Sequence, residues 1–82
     1  MGTFLNEKIK VGVIFKENGG FKLLWFKRQE QFHQIKKITY CWTSYQGEAK
    51  IYHFSVLDQH DNLFELCYNT RQLYWILRQA ES

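Results

Sequence analysis

The side chains best suited to chemistry in this sequence are Cys41, His53, His60 and Cys67, whose two sulfurs and two imidazoles are the inventory of a zinc site. Their spacing speaks against one. Short chains usually hold zinc through close pairs such as Cys-x-x-Cys or His-x3-His, in which one turn delivers two ligands, and none of the four stands in such a pair. A thiol nucleophile at Cys41 or Cys67 would need a histidine and an orienting carboxylate, which strand spacing permits without suggesting. Gly19-Gly20 is followed by neither Lys-Ser/Thr nor a helix start, so it is not a phosphate loop. His33 and His53 fall within apolar stretches and read as rim or core residues with one hydrogen bond each; His60 sits among polar turn residues and reads as solvated. The chain is expected to be non-enzymatic and to hold neither metal nor cofactor.

Charge is more informative. Residues 1 to 41 carry eight Lys or Arg against three Glu, a net +5, and the remainder carries three against five, a net −2. A charge segregated in this way raises a positive potential over one part of the surface and attracts polyanions. Lys22, Trp25, Phe26, Lys27, Arg28, Lys36, Lys37 and Tyr40 interleave cations with rings, the two ingredients of a surface that follows a phosphate backbone and stacks on bases. These eight residues are the predicted nucleic-acid-binding set, and single-stranded nucleic acid the predicted partner. The RNP1 pattern of an RRM and the GXXG loop of a KH domain are both absent. Lysines between apolar residues also line any solvated strand face, and Lys36-Lys37 could serve only to guard an edge. The alternative partner is another protein, bound through an aromatic patch or an exposed sheet edge.

The elements that must position these residues are strands. Ile9, Val11, Val13 and Phe15 recur at every second position, a period that puts them on one face of a strand. Glu17-Asn18-Gly19-Gly20 then supplies residues that tolerate the positive φ of a tight turn. Phe21 to Arg28 sets Phe21, Leu23 and Trp25 against Lys22, Leu24, Phe26 and Arg28, so both faces are partly apolar. Between Gln31 and Thr43 the apolar period is mixed, but Ile38, Thr39, Tyr40 and Trp42 are strand formers and no N-cap precedes them. A strand with a bulge at Lys36-Lys37 is predicted there, with a short helical turn over 30–37 as the alternative. Tyr52, Phe54 and Val56 share a face, a polar turn follows at 58–62, and two more strands set Phe64 with Leu66 and Tyr68, then Leu73 with Trp75 and Leu77. The prediction is an all-β fold of five or six antiparallel strands in meander order, curled into a small barrel or strongly bent sheet.

At 82 residues the chain has material for one domain, spanning 1–82. Seven Phe, five Tyr and three Trp explain how so short a chain builds a core. Residues 1 to 20 hold no apolar run longer than Val13-Ile14-Phe15, and no stretch approaches the roughly 20 apolar residues of a membrane span. A cytoplasmic protein with reduced thiols and no membrane partner is expected. The succession Phe32-x-x-Ile35-x-x-Ile38-x-x-x-Trp42, Tyr52-x-Phe54-x-Val56, Phe64-Glu65-Leu66 and Leu73-Tyr74-Trp75-Ile76-Leu77 resembles a family of small bacterial domains of unknown function, some of them encoded near Y-family DNA polymerases. The resemblance implies an all-β fold and a bacterial source, and it assigns no catalytic residue.

Overall fold

The alternating apolar pattern is realised as six strands in a computed structural model that describes residues 3–81. They are β1 (Thr3–Phe15), β2 (Phe21–Arg28), β3 (Gln31–Gln46), β4 (Ala49–Asp58), β5 (Leu63–Asn69) and β6 (Tyr74–Glu81). Each pairs antiparallel with the next, and β6 returns to β1 to close a barrel. Closure removes the two exposed edges that an open six-stranded sheet would carry. Among the described residues no helix is long and apolar enough to cross a membrane.

Turn chemistry sets the register. Gly19 takes a φ of +87°, and Asn18 Oδ1 accepts the Gly20 N–H at 3.0 Å, which closes the β1–β2 hairpin as its sequence predicts. A two-residue connection at Gly47-Glu48, with Gly47 at φ +63°, joins β3 to β4. At the β5–β6 turn Asn69 Oδ1 accepts the N–H groups of Arg71 and Gln72 at 2.9 and 3.0 Å. The same turn puts Leu73 at φ 59° and leaves it 70% exposed, so the expectation that Leu73 shares the buried face of Trp75 and Leu77 is corrected.

Phe26, Val56, Leu66 and Leu77 are fully enclosed inside the barrel, with Leu23, Ile35, Phe54, Phe64 and Trp75 packed around them. Burying these side chains is the main force holding the sheet closed. Toward one mouth, Phe21 packs against Tyr52, Phe54, Tyr68 and Trp75 with ring centroids 4.9 to 6.5 Å apart. Toward the other mouth Arg28 of β2 donates through Nε and Nη2 to the two carboxylate oxygens of Glu7 on the neighbouring β1, each at 3.0 Å.

Bulges decide which residues face inward. Gly12 pairs with Trp25 and Val13 with Leu23, so Leu24 is an extra residue in β2 and side-chain parity switches across it. Trp25 therefore turns outward and Phe26 inward, the reverse of the strict alternation expected for this strand. On β3, register shifts between Ile35 and Lys37 and between Ile38 and Tyr40 confirm a strand bulged at Lys36, with a second bulge at Thr39 and no helical turn. Thr39 Oγ1 donates to the Ser55 carbonyl at 3.1 Å and so satisfies backbone at the second bulge.

One buried carboxylate ties β3 to the end of β4. Asp58 has no exposed surface; its Oδ1 accepts the N–H groups of His60 and Asn62, each at 2.9 Å, and its Oδ2 accepts His33 Nδ1–H at 3.1 Å. The His33 ring is held flat on Phe26, with centroids 4.6 Å apart and an 8° interplanar angle. Burial pushes the Asp58 carboxyl upward, but hydrogen bonds from Asn62, His33 and His60 outweigh it and leave the group below its ordinary value of 3.8. A depressed folded value means that the stabilisation is complete above about 3.8 and is lost as pH falls through the lower folded value. Thermal denaturation from pH 6 to pH 2 should show this loss, and Asp58→Asn should flatten it. Asp58→Ala, which orphans His33 and two turn amides, should lower stability at pH 7 by about 3 kcal/mol.

Candidate nucleic-acid interface

β3 changes partners along its length. Its first residues pair with β2 from Arg28–Gln31 to Trp25–Gln34, after which β3 pairs with β4 alone, from Ile35 to Gln46. Phe21–Leu24 of β2 and Ile35–Ile38 of β3 therefore splay apart, and the wall of the barrel opens there into a groove of about 690 Å³. Lys16, Lys22, Lys36 and Lys37 line it together with Trp25 and Phe32, and among the described residues no carboxylate belongs to its lining. Ammonium groups flanking a low-dielectric wall focus a positive field into the groove.

The aromatic floor depends on Gly12. A Cβ built at Gly12 would fall within the Trp25 indole, so only glycine lets the ring lie over β1 at that point. Phe32, which is 54% exposed, packs beside it with ring centroids 5.5 Å apart and an interplanar angle of 34°. Two adjacent rings on a rigid strand pair form a platform suited to stacking on flat ligands. On the same wall Lys10 stands directly opposite Lys27 across β1 and β2. Like charges at such positions are destabilising, and the strain is relieved when an anion approaches.

The predicted set divides in consequence. Lys22, Trp25, Lys36 and Lys37 meet at the groove, and Lys27 lies beside it with Lys8 and Lys10 along a second, smaller depression of about 370 Å³. Phe26 is enclosed in the core and cannot reach a surface ligand, which corrects its assignment as a stacking residue. Arg28 is committed to Glu7 at the barrel mouth. Tyr40 is 66% exposed but stands farther along β3 beside Trp42, with centroids 5.4 Å apart, and is not among the groove residues. Lys36 also contacts Asp61 at 2.8 Å, an exposed ion pair that contributes little and is readily exchanged for another anion. Lys16 and Phe32 belong to the groove although the predicted set lacks them. The consecutive Leu23-Leu24 is the sequence trace of the parity switch that turns Trp25 outward, and the apolar run Leu23-Leu24-Trp25-Phe26 masks it.

The candidate metal ligands behave differently from their sequence grouping. His60 is exposed in the β4–β5 turn and Cys41 is exposed on β3, whereas His53 and Cys67 are buried directly opposite each other on β4 and β5. Glu65 joins them from β5, with Oε2 3.3 Å from His53 Nδ1. Burial and the neighbouring Glu65 carboxylate push the Cys67 thiol up to about 12.

No protein-family model matches the chain, and no curated protein or solved structure is similar to it.

Gly12→Ala should displace the Trp25 ring, at a cost of about 1 to 3 kcal/mol for overpacking, and the tryptophan emission should move to longer wavelength. A disulfide reagent at pH 8 should titrate one thiol quickly in the native protein, that of Cys41, and reach Cys67 only on unfolding.

Proposed function

We propose that the protein is a non-enzymatic binding module that takes single-stranded nucleic acid along the groove between β2 and β3. The observation that carries this function is the groove lining itself: Lys16, Lys22, Lys36 and Lys37 with no carboxylate among the described lining residues, around the Trp25–Phe32 platform. The lysines follow the phosphates, and the rings stack on one or two bases exposed by an unpaired strand. Phosphate contacts carry no sequence information, so sequence preference is weak. A cytoplasmic setting belongs to the same proposal, because two free thiols suit a reducing compartment that also holds nucleic acid.

A protein partner is the second function that a specific observation favours. Tyr40–Gln46 of β3 pairs with β4 only, its other edge is open, and Tyr40 and Tyr45 are 66% and 70% exposed. An extended segment from another chain could add to that edge. Bulges at Lys36 and Thr39 interrupt the edge nearer the groove, which confines such pairing to the outer half of the strand.

Titration of a fluorescent single-stranded oligonucleotide at several salt concentrations separates the two. Micromolar or weaker affinity is expected, with a log–log salt slope near −2 for about three phosphate contacts. Lys22→Ala and Lys37→Ala should each reduce the slope by roughly 0.7, and Trp25→Ala should cost about 1 to 3 kcal/mol, whereas Tyr40→Ala should change nothing. Absence of binding at low salt, or binding lost with Tyr40→Ala and kept in the lysine variants, would contradict the groove and favour the open edge.

A further inference from the structure

On a different wall of the barrel, three strands bring together donor atoms that no part of the groove uses. His53 on β4 stands opposite Cys67 on β5 and opposite Trp42 on β3, while Glu65 lies two residues before Cys67 and so on the same face. His53 Nδ1 is 3.2 Å from Cys67 Sγ and 3.3 Å from Glu65 Oε2, and Sγ is 3.5 Å from the same carboxylate oxygen. The three atoms thus form a nearly equilateral triangle. With Zn–N and Zn–O bonds of about 2.05 Å and a Zn–S bond of about 2.3 Å at tetrahedral angles, ligand atoms lie about 3.3 Å (N to O) and about 3.5 Å (S to N or O) apart. The triangle matches one face of such a tetrahedron except at the Sγ–Nδ1 edge, which is about 0.3 Å short and would lengthen around an ion.

We propose that His53, Glu65 and Cys67 bind one zinc ion on the outer face of β4 and β5, with the fourth position taken by water. Mixed nitrogen, oxygen and sulfur donors suit zinc, and the thiolate selects against magnesium and calcium. The surroundings are those of a ligand set held in place. Ser44 Oγ lies 2.7 Å from His53 Nε2, where it can accept an Nε2–H and so support the tautomer that presents Nδ1 to the metal. Trp42 covers the imidazole, stacked at 4.9 Å with a 7° interplanar angle. Both His53 and Cys67 are more than nine-tenths buried, whereas the Glu65 side chain is 20% exposed, so the site opens to solvent on the carboxylate side. All three ligands stand on paired strands rather than loops, which limits the rearrangement needed on binding. Binding converts the Cys67 thiol to a thiolate and releases its proton to solvent.

The order Ser44, His53, Glu65 also matches a nucleophile, a base and an orienting carboxylate. Nδ1 of His53 is shared with the Cys67 thiol as closely as with Glu65, however, and this favours a common ion over a proton relay.

The test is cobalt titration of full-length protein carrying Cys41→Ser, which removes the exposed thiol. One equivalent of Co²⁺ should produce a thiolate-to-cobalt charge-transfer band with the visible bands of a tetrahedral ion, and one equivalent of Zn²⁺ should abolish both. Cys67→Ser should eliminate the charge-transfer band. His53→Gln and Glu65→Gln should each weaken binding by at least 10-fold, and Ser44→Ala, which acts through His53, by 10- to 100-fold. Circular dichroism verifies that each variant is folded, and a rise in the melting temperature of the unsubstituted protein with Zn²⁺ gives a readout independent of any variant. Absence of the charge-transfer band in the folded Cys41→Ser protein, or a cobalt affinity unchanged in folded His53→Gln and Glu65→Gln, would overturn the site.

Discussion

The Asp58 carboxylate is the interaction on which the arrangement of this barrel depends. It is fully enclosed, yet it caps the β4–β5 turn through one oxygen and holds His33 through the other. A buried charge is tolerated only when its hydrogen bonds are satisfied, and these bonds also determine where β3 runs. His33 lies in the short stretch where β3 still pairs with β2, and Asp58 pairs with Ile35, where β3 has passed to β4. The carboxylate therefore pins the residue at which the strand changes partner. Everything beyond that point follows: the splay of β2 from β3, the groove between them, and the open outer edge of β3.

Much of this architecture is legible in the sequence, and the exceptions share a cause. Strand existence, the meander order and the turns at 17–20 and 58–62 follow from period-two alternation and from Asn, Gly and Asp at the right offsets. Those are local signals. Mixed periodicity between Ile35 and Ile38 correctly indicates a bulge, because a residue inserted into a strand must break its alternation. Leu24 is the same event in β2, but apolar residues on both of its faces conceal the break, so Trp25 and Phe26 exchange sides relative to expectation. Leu73 is misplaced for a different reason: Asn69 captures the amides of Arg71 and Gln72 and extends the turn by one residue. The groove depends on which strands stop pairing, a non-local property that composition cannot report. The triad of His53, Glu65 and Cys67 escapes motif spacing because a sheet assembles it across strands, where Glu-x-Cys puts two donors on one face.

β3 serves both candidate sites. Its first half supplies Phe32, Lys36 and Lys37 to the groove, and its second half supplies Trp42 and Ser44 to the back of the His53 cluster. Two bulges separate these halves; the first half begins paired with β2, and the second pairs with β4 alone. One strand can thus carry a cationic, ring-lined surface and a set of soft and hard donor atoms without either interfering with the other. Rigidity is common to both, since the side chains at each site stand mostly on paired backbone and not on mobile loops.

The gap created where β3 leaves β2 is the proposed ligand-binding surface. Amide and indole chemical shifts of isotopically labelled protein, followed while a short oligothymidylate is added at low salt, test it most directly. The signals of Lys22 to Trp25, the Trp25 indole N–H and those of Phe32 to Ile38 should move together and saturate, while Tyr40 to Gln46 and the Gly47 turn stay in place. Saturating shifts confined to Tyr40–Gln46, or no shifts at all, would contradict the account.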